Sequence, residues 1–267
     1  GVEPMGLVGA GYATLTSRIF MAIGIAAYVY FHSKLKEYRS IYSFKPFDKQ
    51  LFFTMLHIGL PAGLQFIFEV AAFDFSAVMM GWLGTNALAA HQIAINLASI
   101  SYMTTSGLGA AAVIRIGNAI GKQDLQNMKM AAYSLVGMGL MLMAIFALVF
   151  FAGRFYFPAL YVNDAQVIAL AAPLLVIAGF FQLSDGMQVV CAGALRGLQD
   201  VKIPSLLIFI SYWVIGLPLG YWLAFKANWG AEGIWLGLLI GLTLVAFALF
   251  IRLRNLIRKK ISEAEIG

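Results

Sequence analysis

Apolar residues run along this chain in seven long blocks, at about 5–31, 51–83, 86–118, 128–152, 165–195, 203–225 and 231–254, parted by short polar connections. About 20 apolar residues are enough for an α-helix to cross the hydrocarbon core of a bilayer. Each block therefore predicts a transmembrane helix, and the chain reads as an all-α, polytopic membrane protein. Several blocks exceed that length, so their helices should tilt, kink or project beyond the bilayer. Pro61 in "HIGLPAG" and Pro218 in "VIGLPLG", each beside glycines, are the expected kinks. The longest polar interruption, "HSKLKEYRSIYSFKPFDKQ" at 32–50, reads as an interfacial linker. Composition agrees: 61% hydrophobic and 11% charged residues, with mean hydropathy +0.86, leave too little polar surface for a soluble domain of 267 residues. Glu3 and Pro4 precede the first block and no cleavage-like site follows it, so no signal peptide is expected.

Charge decides which way the helices face. The linker carries Lys34, Lys36, Arg39, Lys45 and Lys49, and the third-to-fourth connection Arg115, Lys122 and Lys129. Arg196 and Lys202 mark the fifth-to-sixth connection, and Arg252, Arg254, Arg258, Lys259 and Lys260 the C-terminal end. With seven spans these fifteen of the 18 basic residues share one side, while Arg154 and Lys226 fall on the other and Arg18 lies inside the first span. The excess of Lys and Arg predicts a cytoplasmic linker and C-terminus. The net charge of +6 is thus a topology signal and implies no nucleic-acid partner. A single cysteine, Cys191, excludes an intrachain disulfide and a multi-cysteine metal site, and three scattered histidines argue against a histidine metal site. His57 and Arg115 read as snorkelling groups, and His91 as an interfacial or capping group at the start of the third span.

Seven spans require the chain to start outside, and an internal echo accounts for that. "WGAEGIWLG" at 229–237 resembles "MGLVGAGYA" at 5–13, with Gly230 and Gly233 at the offsets of Gly6 and Gly9. A repeat there makes the first span the last helix of an earlier repeat and the next six a complete second one. The chain then reads as the C-terminal portion of a transporter with two parallel repeats, which the absence of an initiator methionine suits.

Four ionisable groups sit where hydrocarbon should be: Arg18, Glu69, Asp74 and Asp185. A carboxylate at the bilayer centre costs about 2.5–3.5 kcal/mol even on lenient insertion scales, so such groups face cavities or partners and mark function. Gln182, Asp185 and Gln188 are spaced by three and line one flank of the fifth span; Gln65, Glu69 and Ser76 form a similar stripe on the second. Asp74 lies about 140° around the helix from Glu69, off that face but within reach of a neighbour. Two acid-bearing stripes suit a wet cleft between helices, with Asn96 as a further amide. Either acid would serve structure alone if it paired with Arg18, but one in-span base cannot serve three acids. A carboxylate withdrawn from water favours its protonated form and can carry a proton near neutral pH. The same oxygens, joined by amides, can instead ligate sodium. Both routes couple an ion gradient to a conformational change. Aromatic residues, at 14%, and 12 methionines supply adaptable apolar walls for varied ligands, beside ordinary packing and lipid contact.

Residues 59–124, with "GLP" ahead of "FEV", then "AHQIAIN" and "IRIGNAIGKQD", resemble the second MatE repeat of multidrug and toxic compound extrusion (MATE) transporters, in their NorM-type branch. "SDGMQVVCAGALRGLQD" at 184–200 is similar to the tenth-helix motif of that family. The resemblance implies twelve helices in two six-helix lobes. On that frame residues 1–31 hold the last helix of the first lobe and 32–50 the cytoplasmic inter-lobe linker. Residues 51–258 are the six-helix second lobe, and 259–267 a cytoplasmic tail. It implies an antiporter of the cell (inner) membrane, not an enzyme, that exports small lipophilic cationic compounds against Na+ or H+ with no cofactor. Its partners would be those compounds, membrane lipids and the N-terminal lobe. Glu69, the glutamate of "FEV", and Asp185 carry over as the cation-binding acids; Asp74 matches one of a pair of acids in animal relatives. Gln65, Asn96, Gln182, Gln188 and Arg18 are further candidates for the cation or substrate site. One position departs: Phe181 stands where NorM-type proteins often place tyrosine, so no hydroxyl is offered there. The rival readings need features the sequence does not display. A lipid-linked oligosaccharide flippase calls for a cleft rich in Arg and Lys, and an intramembrane enzyme for clustered His, Asp or Ser at one interface. A purely structural membrane subunit leaves three acids against one in-span base unexplained.

Overall fold

The computed structural model describes residues 5–32 and 48–266. The helices are α1 (Gly6–Phe31), α2 (Lys49–Leu83), α3 (Thr85–Gly121), α4 (Leu125–Gly153), the short α5 (Tyr156–Tyr161), α6 (Ala165–Gly197), α7 (Lys202–Phe209), α8 (Leu217–Tyr221) and α9 (Gly230–Ile266). π-helical segments Ile210–Gly216 and Trp222–Lys226 flank α8 and join it to α7 in one span, Lys202–Lys226. Among the described residues there is no strand, and seven helical segments are long and apolar enough to cross a membrane. The all-α, seven-span reading holds, with six of the expected blocks each inside one of them and the first, 5–31, overlapping Gly11–Phe31. The linker's residues 33–47, with Lys34, Lys36, Arg39 and Lys45, lie outside the described residues.

The structure corrects one expectation, for His91, and adds two details. α9 continues to Ile266, so residues 259–266, expected as the tail, are helical. The Lys259–Glu263 pair, one turn apart at 3.7 Å, suits that helical course. The fourth-to-fifth connection contains a helix, α5, that no apolar block announced; six residues are too few to show a period. His91 is 1% exposed and accepts a 3.1 Å hydrogen bond at Nδ1 from Trp235 Nε1, which makes it a core tie between α3 and α9, not an interfacial cap. The prolines behave unequally. α2 runs on through Pro61, whereas Pro218 lies between the two π-helical segments, where the helix has to re-route the backbone bonds that proline disrupts.

Two units make up the chain, Gly1–Phe52 and Phe53–Gly267. In the second, α6 is central and packs on α3, α4 and α9. Close approach of backbones makes this possible. A Cβ at Gly193 would lie 2.4 Å from the carbonyl oxygen of Gly109 on α3, and one at Gly237 of α9 would lie 2.4 Å from the Gly220 backbone. Without a hydrophobic force between helices in lipid, such small-residue contacts are a main source of cohesion.

The sequence echo has a structural counterpart. Gly6 and Gly230, each the first residue of a long helix, adopt φ of +52° and +55°, a left-handed entry that glycine takes without strain. A second echo was not read from the sequence. α3 and α6 end in "GKQD" and "GLQD", and both close the same way. Gln123 and Gln199 have φ of 58° and 62°, and the amides of Asp124 and Asp200 bond back to Ala119 and Leu195, each at 2.9 Å. The aspartates then diverge. Asp124 caps α4 by accepting from the Asn127 amide at 3.0 Å, and its carboxyl is held below the usual range mainly by that bond and by the Asn127 side chain. Asp200 accepts a two-pronged bond from Arg252, Nε to Oδ2 and Nη2 to Oδ1 at 2.9 Å, clamping the α6–α7 turn to α9.

Candidate functional site

Helical spacing places the acids. On α2 the buried residues Gln65, Glu69, Ala72, Ser76, Met79 and Met80 repeat every three or four positions and form one inward stripe. On α6, Gln182, Asp185 and Gln188 are all buried. Both stripes read from the sequence therefore face inward, with Glu69 9% and Asp185 4% exposed.

A chain of hydrogen bonds orients Glu69. Gln188 donates from Nε2 to Glu69 Oε1 at 2.8 Å, and Tyr212 donates its hydroxyl to Gln188 Oε1 at 3.3 Å. Glu69 Oε2 stands outside that chain. Tyr212 belongs to the π-helical segment Ile210–Gly216 and is fully buried, so an irregular stretch of the sixth span supports the glutamate on the second. Neither Glu69 nor Asp185 forms an ion pair within the second unit; among its described residues the ion pairs are Arg252–Asp200 and Lys259–Glu263.

Two cavities meet at Glu69. One, of about 280 Å³, is lined by Glu69, Asp74, Asp185, Phe73, Tyr102 and Phe181 among others. The second, of about 230 Å³, shares Phe66, Glu69 and Tyr102 with the first and continues past Gln65, Ser106, Gln188 and Arg196. The first extends along α2, α3 and α6 toward the end where α2 turns into α3; the second toward the opposite end, where α6 finishes at Gly197. Phe181 is 4% exposed and packs edge-on to Phe73 at 5.8 Å, so the first cavity meets carbon where a tyrosine would offer a hydroxyl.

The sequence-derived candidates divide. Glu69, Asp185 and Asp74 line the first cavity, Asp74 with its side chain exposed; Gln65 and Gln188 line the second. Gln182 lines neither. Its Oε1 accepts from Ser101 at 2.8 Å, and its buried Nε2 has no partner, so it ties α6 to α3 behind the acids. Ser76 donates to the Phe73 carbonyl of its own helix at 2.6 Å. Asn96 is exposed, accepts from Tyr161 of α5 at 2.8 Å, and lines neither cavity. Arg18 lies on α1 in the first unit with its side chain exposed. Among the described residues no three His, Cys, Asp or Glu side chains converge to hold a metal ion.

Three lining or supporting groups were missed: Tyr102, Tyr212 and Arg196. Arg196 was counted with the connection after the fifth span, yet it lies within α6, half-buried, its guanidinium 5.2 Å from the Phe66 ring. Its signal was present. Residues 185, 188, 192 and 196 continue one flank of the helix, and following it three turns past Asp185 reaches the arginine. Tyr212 carried no comparable signal, because a π-helical segment departs from the 3.6-residue period.

Comparison with known proteins adds context. Residues 61–222 match the model of the MatE family. A probable multidrug resistance protein NorM of Brucella suis is 41% identical over 96% of this chain and 55% of its own length. A protein of the same description from Agrobacterium fabrum is 40% identical over 99% of this chain and 58% of its own. The chain thus spans about half the length of the curated relatives it matches. Among solved structures, the outward-facing conformation of a multidrug resistance MATE family transporter of the MOP superfamily superposes with a TM-score of 0.81 at 20% identity, covering 97% of this chain and 58% of the other. A eukaryotic MATE transporter superposes at 0.76 with 21% identity, over 89% of this chain and 54% of the other.

Proposed function

The chain belongs to the MatE family, and from that membership we propose that it forms the last helix of the first lobe and the whole second lobe of a cation-coupled multidrug antiporter. The observation that carries this reading is the placement of Glu69 and Asp185. Two buried carboxylates from two helices, without an ion pair in their own unit, border cavities that extend toward opposite ends of the bundle. Intramembrane acids in such a place are the usual relay for a proton or a small cation.

In the proposed cycle the driving ion, H+ or Na+, occupies the carboxylates from the outer cavity and leaves through the inner one as the lobes rock. Gln188, held by Tyr212, keeps Glu69 Oε1 in place, so Oε2 and the Asp185 oxygens take up the ion. Loss of the ion leaves two negative charges on the cavity wall, which attract a lipophilic cationic compound; reoccupation expels it. Arg196 terminates the inner cavity with a fixed positive charge that favours ion release on that side. The excess of basic residues at that end supports a cytoplasmic inner end and C-terminus in a protein of the inner membrane. A lipid-linked oligosaccharide flippase would require an array of cations, and the two cavities offer one, Arg196.

The test is drug export by cells expressing the full-length protein. Asp185→Asn should insert normally and lose gradient-driven export; unimpaired export by that variant would sink the assignment. Proteoliposomes with sodium and pH gradients imposed separately then identify the ion.

A further inference from the structure

A third cavity lies on the opposite flank of α3, between that helix and α4, with a volume of about 830 Å³. Its polar end holds Arg115, Asn118, Lys122 and Asn127, and its other end is apolar, with Leu108 and Met138. On α3, positions 108, 111, 115, 118 and 122 share one face. From Leu108 to Lys122 this face runs about 21 Å along the axis. One leaflet contributes about 15 Å of hydrocarbon, so the groove spans a leaflet and ends at headgroup level.

The charges at that end need a counterpart. Arg115 and Lys122 are both exposed, and among the described residues neither takes part in an ion pair. Asp124 also lines the polar end, but its two oxygens accept from the Asn127 amide at 3.0 Å and from the Asn127 side chain at 2.5 Å, so they are turned to capping α4. An arginine six residues short of the end of its helix, with no ion-pair partner among the described residues, is costly in lipid unless it finds an anion. Basic pockets between helices at the positively charged face of a membrane protein characteristically receive anionic lipid headgroups.

We propose that the α3–α4 groove binds one anionic phospholipid. Arg115 and Lys122 hold its phosphodiester, Asn118 and Asn127 hydrogen-bond the headgroup, and an acyl chain lies along the face that ends at Leu108 and Met138. This site is separate from the acid-lined cavities and does not depend on the transport reading.

Native mass spectrometry of the full-length protein, released from detergent and titrated with phosphatidylglycerol, phosphatidylcholine or inorganic phosphate, tests it. The wild type should retain phosphatidylglycerol at least about tenfold better than phosphatidylcholine, and Arg115→Gln with Lys122→Gln should remove about tenfold of that retention. Met138→Trp, which fills the apolar end without altering charge, should weaken it as well, so the result does not rest on one variant's folding. Equal retention of the two lipids, or unchanged phosphatidylglycerol binding in both variants, overturns the proposal. Competition by inorganic phosphate at concentrations comparable to the lipid also overturns it, because the site would then recognise a free anion.

Discussion

Glu69 depends on one amide. Gln188 donates to its Oε1 and in turn accepts from Tyr212, so the three side chains form a directed chain from the sixth span through the fifth to the second. Removing the middle member is the informative change. Gln188→Leu strips the glutamate of its donor and leaves the buried Tyr212 hydroxyl without an acceptor, a loss of about 1–3 kcal/mol for each orphaned group. Export by the full-length protein should fall at least about tenfold and thermal stability in detergent should drop. Tyr212→Phe keeps the Gln188–Glu69 bond and should cost far less. If the two variants behave alike, Gln188 does not position the carboxylate. The stripes around both acids were legible in the sequence because three- and four-residue spacing on an α-helix dictates a shared face. The partner of Asn96 was not, because spacing says nothing about which neighbour a face meets; here Tyr161 of α5 donates to that amide.

Among the elements, cohesion comes from glycine. Gly193→Ala would drive a methyl to 2.4 Å from the Gly109 carbonyl oxygen, forcing α3 and α6 apart at a cost of about 1–3 kcal/mol. Gly59→Ala meets nothing within 4 Å and should be neutral or slightly stabilising. Melting temperatures of the two variants in the same detergent check the contrast, and a Gly193→Ala protein as stable as Gly59→Ala would refute the packing argument. The α4 cap predicts a pH effect with a definite sign. The Asp124 carboxyl sits below its ordinary value because it accepts the Asn127 bonds, so its contribution is present above the unfolded value and is lost as pH falls below about 4. Asp124→Asn should flatten that part of the stability–pH curve relative to the wild type.

At the scale of the molecule, two cavities that extend toward opposite ends predict two-sided access. Cys191, the one cysteine of this chain, is fully buried, so a background in which it and any cysteine of the remaining lobe are replaced by serine leaves no native thiol to confuse labelling. In the full-length protein, Asp74→Cys should react with an impermeant thiol reagent added outside, and Ser106→Cys only when the reagent reaches the cytoplasmic side. Labelling of both from the same side would contradict the orientation and the two-ended path. The Asp200–Arg252 clamp should hold the inner end together. A double-mutant cycle of Asp200→Ala and Arg252→Ala should show coupling of about 1 kcal/mol in stability, and additive losses would show that the two residues contribute independently, with no clamp between them.

By itself the sequence determined the class, the seven spans, the inward stripes and, through "FEV" and the tenth-helix motif, the family. Each follows from local rules: apolar length against bilayer thickness, helical period against facing, and residue order against a known pattern. Only the tertiary structure decided which groups meet. It brought Arg196 and Tyr102 to the wall beside Glu69, put Tyr212 behind Gln188 through a π-helical turn, made His91 a core tie, and opened a basic-ended groove between α3 and α4. Those outcomes depend on how helices rotate and approach one another. That is settled by glycine-scale fits such as Gly193 against Gly109, which no periodicity along a single helix records.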